Sequence, residues 1–209
     1  MIDRFKTFKS NIDIHSICEK HGIENYTIND DMSIDVNGSV YLHEKRIDKL
    51  PLQFREVTGN FWCDFNNLTS LKGSPTIVDG FYCSNNQITS LEFGPKVVNN
   101  NGYYCGNNKL TSFEFFPNQV IGGFHCYSNQ IRDFKGLPEF FSGQIGDLTY
   151  NPVFEIYNLF HGNHDCIEYI NEFDVIQGDR VIRDRLEEVY VHMGMEIPKN
   201  IKLKEYILI

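Results

Sequence analysis

A chain of 209 residues with 41% hydrophobic and 22% charged residues is long enough for one sizeable core or for a capped repeat array. Its formal net charge of -9, with no cluster of lysine or arginine to offset it, argues against a nucleic-acid backbone as partner. Apolar runs fall short of the ~18 residues of a membrane span, the N-terminus lacks the apolar stretch of a secretory signal, and six cysteines are too few for a disulfide scaffold, so a reducing, cytoplasmic setting is expected.

In chain order, the first predicted element is a helix over about 11–21, with Ile14, Ile17, Cys18 and His21 on one face and Gly22 ending it. Strands near 25–29 and 33–36 follow, and Asn37–Gly38 leads into the next strand. Residues 1–37 read as an α/β cap that shields the open edge of whatever comes after.

From residue 38 the chain repeats itself. Cys63, Cys83, Cys105 and Cys126 are separated by 20, 22 and 21 residues, and Pro75, Pro95, Pro117 and Pro138 keep the same intervals. Val57, Val78, Val98 and Val120 step by 21, 20 and 22. The shared unit is F-x-C-x-x-N-x-L-T-S-L-x-x-x-P-x-x-V. A weaker copy precedes the four strong ones (Val40, Leu42, Ile47, Leu50, with Lys45 in place of the asparagine). Another follows them (Leu148, Asn151, Val153, Ile156, with Gly146 at the first apolar position). The spacing predicts about six turns over 38–158.

Phe81, Cys83, Asn86, Ile88 and Leu91, with their counterparts in the sister copies, resemble the leucine-rich repeat frame L-x-L-x-x-N-x-L followed by a further leucine. The short unit with N-x-L-T-S-L and a following proline is similar to the repeats of bacterial effectors. The F-x-C spelling, the leader NYTINDDMSIDVNGSV (25–40) and NPVFEI (151–156) resemble small repeat proteins encoded by large bacteriophages. The resemblance implies an α/β-type repeat solenoid with a parallel β-sheet on its concave face, an N-terminal α/β cap and a C-terminal helical cap. It also implies a scaffold that binds rather than catalyses. Some effectors of this type carry a ubiquitin-ligase domain after their repeats, but the tail of this chain is much shorter than such a domain.

Within each unit, F-x-C predicts one short parallel strand, and the return leg, interrupted by proline, should be extended or a 3₁₀ turn. The asparagine stands where the chain leaves the strand, so its amide can satisfy backbone groups of its own and the neighbouring turn. Glycines ahead of the strands (Gly59, Gly80, Gly102) suit tight corners. The four repeat cysteines fall on inward positions and read as buried thiols. Side chains in register on adjacent strands point the same way, a poor geometry for a disulfide, and a linear column cannot surround a tetrahedral metal.

The outward positions alternate with these. One column holds Tyr41, Trp62, Tyr82, Tyr104, His125 and Asp147; its neighbour holds His43, Asp64, Ser84, Gly106, Tyr127 and Thr149. Strand spacing places successive rings within reach of offset stacking. The column is either cover for an exposed sheet or a recognition surface, since Trp and Tyr dominate interfaces. The candidate partner-binding residues are Tyr41, Trp62, Tyr82, Tyr104, His125, Asp147, Asp64 and Tyr127.

Beyond Asn151 the period becomes helical. Pro152 suits a first helical turn, with Val153, Ile156, Tyr157 and Phe160 as an apolar stripe. A second helix fits 165–173 and a longer one 178–193, with Ile182, Leu186, Val189 and Met193 inward. The closing IKLKEYILI is a strand or a docked tail, its YILI end buried within the monomer. Residues 159–209 form a helical segment, and any self-association is expected there. His161, His164, Asp165 and Cys166 could supply a nucleophile or ligands, but at a helix junction such residues also serve as caps. No phosphate-binding, dinucleotide, zinc-protease or serine-hydrolase motif is present, so neither an enzyme nor a cofactor is expected. The expected function is a non-catalytic module that binds a protein partner, a host factor if the phage resemblance holds. The alternatives are a binder of a nucleotide or sugar on the same face, and a structural, virion-associated component.

Overall fold

In the second half of each repeat strand, buried rings and thiols alternate with half-exposed rings, and this alternation stacks the turns in register. The computed structural model describes residues 13–137 and 144–209. Pro138, the last of the repeat prolines, and residues 11–12 of the expected first helix lie outside the described residues. Helix α1 (Ile14–His21) begins at Asp13, whose carboxylate accepts from the Ser16 amide at 3.1 Å, and ends at Gly22 with φ 66°. Strands β1 (Tyr26–Ile28) and β2 (Ile34–Val36) pair antiparallel.

Then come β3 (Val40–Tyr41), β4 (Phe54–Trp62), β5 (Ile77–Tyr82), β6 (Val97–Val98), β7 (Tyr103–Tyr104), β8 (Gln119–Val120), β9 (Gly123–His125) and β10 (Gln144–Asp147), all paired parallel. Together they form a β-solenoid of about five turns.

The single strand per turn expected from the sequence is corrected here: there are two parallel ladders that meet at a corner. In the first, Val36, Val57, Val78, Val98 and Val120 stand in register, all buried. In the second, Val40, Phe61, Phe81, Tyr103, Phe124 and Ile145 are the matched inner residues. The valine that follows each proline is therefore a strand residue. Its β-branched side chain fits a pleated, buried position better than an irregular return. The last copy also departs from expectation. Ile145, not Gly146, takes the first inner position opposite Phe124, and Gly146 is an extra residue in a bulge before Asp147. Val153 and Ile156 are buried in helix α2 (Pro152–Leu159), so the final copy supplies a strand and an asparagine and then becomes helix.

Between the ladders lies a core of ring and thiol columns. Phe61 and Phe81 stack at 5.6 Å, while Phe81 and Tyr103, at 5.0 Å, and Tyr103 and Phe124, at 5.3 Å, meet at tilted angles of 57° and 48°. Burying each such ring stabilises the fold by roughly 2–3 kcal/mol. All six cysteines are buried free thiols. The asparagines form a continuous ladder. The Asn86 amide donates to the Cys63, Cys83 and Ser84 carbonyls at 3.0, 3.0 and 3.3 Å, while its oxygen accepts from the Leu68 amide at 2.9 Å. Asn66, Asn108, Asn129 and Asn151 repeat this pattern one turn apart. At the next corner a second ladder, not anticipated from the sequence, is built by Ser70, Ser90, Ser112 and Asp133, each accepting from the amide two residues on.

The glycines ahead of the strands divide into two kinds. Gly102 has φ 80° and makes the expected corner. Gly59 and Gly80 do not; they are small because a Cβ would lie 2.5 Å from Ser39 Oγ and 2.7 Å from Asn60 Oδ1, respectively.

Beyond α2 come α3 (Cys166–Glu172), β11 (Ile176–Gln177), β12 (Arg180–Val181), α4 (Arg183–His192) and β13 (Ile207–Leu208). The expected helix over 178–193 is thus shortened. Gly178, at φ 65°, turns the chain into a hairpin of β11 and β12 before α4 begins. Leu186 and Val189 are buried as expected, and Met193 packs on the core only in part. The tail is pinned to the solenoid. Arg132 Nη2 donates to the Glu205 carbonyl at 2.5 Å, the Tyr206 hydroxyl donates to the Arg132 carbonyl, and the Glu155 carboxylate accepts from the Lys204 and Glu205 amides. The expectation of a buried YILI holds for alternate residues only. Tyr206 is 6% exposed, whereas Ile207 and Ile209 are 56% and 55% exposed. The parallel pairing of β13 on β12 sends successive side chains to opposite faces.

Candidate binding face

The outer face of the second ladder carries the ring column. Tyr41, Trp62, Tyr82, Tyr104 and His125 stand in register on β3, β4, β5, β7 and β9. Their centroids are 4.8, 5.2, 4.8 and 4.5 Å apart, and adjacent planes lie within 7°, 16°, 5° and 4° of parallel. Five rings thus form one continuous stack, each rung within the offset-stacked range.

Glycines give the rings room to lie flat along their strands. On the same face, two residues before Tyr82, Tyr104 and His125, stand Gly80, Gly102 and Gly123. A Cβ there would approach the three rings to 3.1, 3.3 and 2.4 Å. The stack ends at His125, whose imidazole also covers Gly146 of the next strand, where a Cβ would fall 2.3 Å from the ring. Lateral support comes from the Tyr82 hydroxyl on the Asn101 carbonyl (3.4 Å) and the Asn101 amide on Asn60 Oδ1 (2.9 Å).

This packing decides which part of each ring meets solvent. Interior rings have both faces covered by neighbours, so they present edges and polar tips. Tyr41, at the end of the stack, is 52% exposed and keeps one face free of stacking, with His43 meeting it edge-on at 6.3 Å. Burial lowers the pKa of His125, partly opposed by Asp147, so the imidazole that ends the stack is uncharged at neutral pH. Burial likewise raises the Tyr82 phenol, with Tyr104 adding to it.

The remaining sequence-predicted residues fall beside the stack. Asp147 pairs in register with His125, and its carboxylate accepts from the Thr149 amide at 2.9 Å and the Thr149 hydroxyl at 2.7 Å, so it is a self-satisfied end. The Tyr127 ring lies over Gly106, where a Cβ would come within 2.3 Å of it. Asp64 differs from both. Its Oδ1 is buried without a hydrogen-bond partner, and burial raises its pKa against a smaller pull from its own amide and from His43. The type and place of Asp64 are legible in sequence; its unpaired oxygen depends on how neighbouring turns cover it.

The cluster after α2 is built around a buried thiol. Cys166 is buried at the start of α3, its thiol pushed up to about 12 by burial, which leaves it protonated and unreactive at neutral pH. His164 stands 3.3 Å from the Tyr157 hydroxyl, and burial lowers its pKa. Among the described residues no grouping of three His, Cys, Asp or Glu side chains could hold a metal ion, and no helix is long and apolar enough to cross a membrane.

No protein-family model matches the chain, and neither the curated proteins nor the solved structures contain a significant match to it.

Proposed function

We propose that this chain is a non-catalytic binding module of the leucine-rich-repeat type, whose concave face docks a protein partner on the ring column. One observation carries the reading: five stacked rings stand in register on the outer face of the second ladder, their edges turned to solvent. A rigid row of aromatic edges with phenol, indole and imidazole tips offers apolar area and directional hydrogen bonding at low entropic cost, the combination that dominates protein interfaces. The asparagine ladder and the F-x-C strands support the leucine-rich-repeat assignment. This reading keeps the division into an N-terminal cap (1–37), a solenoid (38–158) and a C-terminal segment (159–209). The resemblance to phage-encoded repeat proteins supports a cytoplasmic host factor as the partner.

A flat small ligand is less well served. Stacking needs an open ring face, and the column leaves one only at Tyr41. The test is a partner captured by the wild-type chain and then measured against a Trp62→Ala, Tyr82→Ala double variant shown by circular dichroism to be folded. Loss of the complex is the expected result, and undiminished binding would remove the ring column from the interface.

A further inference from the structure

The ring column closes at one end and stays open at the other. At its last rung the His125 imidazole stacks on Tyr104 and covers Gly146 of β10. At its first rung Tyr41 stacks on Trp62 with one face and meets His43 edge-on. Its other ring face is open, and the side chain is 52% exposed.

The backbone is open on the same side. Along the ladder, the amide of the residue after each ring donates to the carbonyl of the ring residue one turn on. Leu42 donates to Trp62 at 2.7 Å, and Cys63, Cys83 and Cys105 donate to Tyr82, Tyr104 and His125, each at 2.8 Å. The Tyr41 carbonyl receives no such donor among the described residues. Alternate residues of a parallel strand face opposite edges, so the main-chain groups of Tyr41 and His43 point away from β4. Among the described residues β3 pairs with β4 alone. The cap adds β1 to the first ladder through β2, but it adds neither strand nor ring to β3. It does close the core there: Val40 and Leu42 are 1% and 0% exposed, in one cluster with Ile14, Cys18 and Ile23.

We propose that the open edge of β3 takes an extended segment of the protein partner as an added strand, with an aromatic side chain of that segment stacked on Tyr41. This inference rests on the ring column as the docking face and places the point of contact at its first rung. The added strand repeats what each turn already does, an amide to the Tyr41 carbonyl and a ring ~4.8 Å beyond the last. Side chains flanking that ring point at a core already closed, so the segment needs small residues on either side of it.

The probe is a short fluorescein-labelled peptide of alternating serine and tyrosine, blocked at both ends. Binding is read by anisotropy and by emission of Trp62, the single tryptophan. Replacing the tyrosines by leucine keeps the strand and removes the stack, and should weaken binding about five-fold. N-methylating the serines keeps the rings and removes the donors to the edge, and should weaken it about ten-fold or more. Tyr41→Ala should also cost about ten-fold, while Tyr41→Trp, which keeps an open ring face, should retain binding. Tyr150→Ala removes a ring that is 81% exposed beyond β10 and should change affinity by less than about two-fold.

Failure of the wild type to bind, or equal effects at Tyr41 and Tyr150, would overturn the proposal. Undiminished binding of the leucine peptide would remove the stack from it, and undiminished binding of the N-methylated peptide would remove the strand. A concentration-dependent dimer that Tyr41→Ala dissolves would overturn it in favour of a second copy of the chain. A captured partner lost by the Trp62, Tyr82 double variant but kept by Tyr41→Ala would leave the face standing and remove the edge. A partner kept by both would remove the face itself.

Discussion

Tyr104 and His125 lie face to face, ring centroids 4.5 Å apart and planes 4° from parallel, and the imidazole also covers Gly146 on the next strand. Water is thereby kept from both ring faces, and burial holds the His125 pKa below its ordinary value despite Asp147. A folded-state pKa below the unfolded one means that the unfolded chain binds more protons between the two. Stability is then lost as pH falls from about 6.5 through the folded value. His125→Phe keeps the stack and removes the titrating group. His21 and His164, whose pKa values burial also lowers, remain in both proteins and cancel. Thermal melts between about pH 8 and pH 5 should show wild type losing more Tm on acidification than the variant. Parallel curves would show that His125 is free to protonate in the fold.

Tyr103 is the one tyrosine in a column otherwise built from Phe61, Phe81 and Phe124. Its hydroxyl is buried against Gly94, with no oxygen or nitrogen partner and with the Cys83 thiol beside it. Removing a buried, unsatisfied hydroxyl while keeping the ring relieves a desolvation penalty. Tyr103→Phe should therefore stabilise by about 1 kcal/mol, or roughly 3 °C in Tm for a chain of this size. A loss of stability in calorimetry would mean that the hydroxyl has a partner in solution.

The asparagine ladder should be unforgiving. Asn86→Ala leaves the Cys63, Cys83 and Ser84 carbonyls and the Leu68 amide without the partner they share. The expected cost is about 3 kcal/mol, read as a lowered urea midpoint. Asn67→Ala, one residue beyond the equivalent Asn66, changes an exposed side chain and should stay within about 0.5 kcal/mol of wild type. Similar losses at both positions would contradict the ladder as the source of stability.

Much of this architecture is legible in the sequence, because the repeat superimposes one strand pattern on itself. Given the period and the alternation within F-x-C, the inward thiols and outward rings follow by counting. What escaped counting has identifiable causes. The valine ladder is built from strands as short as two residues, which carry no alternation to detect. The Gly146 bulge is hidden because Phe124 to Ile145 keeps a spacing of 21, while Cys126 to Leu148 and Asn129 to Asn151 take 22. Aligning from the asparagine therefore puts Gly146 where Ile145 belongs. The docking of Tyr206 on Arg132 joins residues 74 apart, a contact that no local pattern encodes. Within the candidate face, the position of Asp64 is a sequence property, whereas the isolation of its oxygen is a property of packing.

That isolation gives Asp64 a signature opposite to that of His125. Burial raises its carboxyl pKa, so the folded chain binds more protons than the unfolded one between the two values. Stability attributable to this group then falls as pH rises from about 4 through the folded pKa, and the penalty persists at neutral pH. Asp64→Asn keeps the shape and cannot ionise. It should melt above wild type at neutral pH, with the difference shrinking towards about pH 4 as the wild-type carboxyl takes up its proton. If Asp64→Asn instead melts below wild type at neutral pH, the carboxylate is paired within the chain.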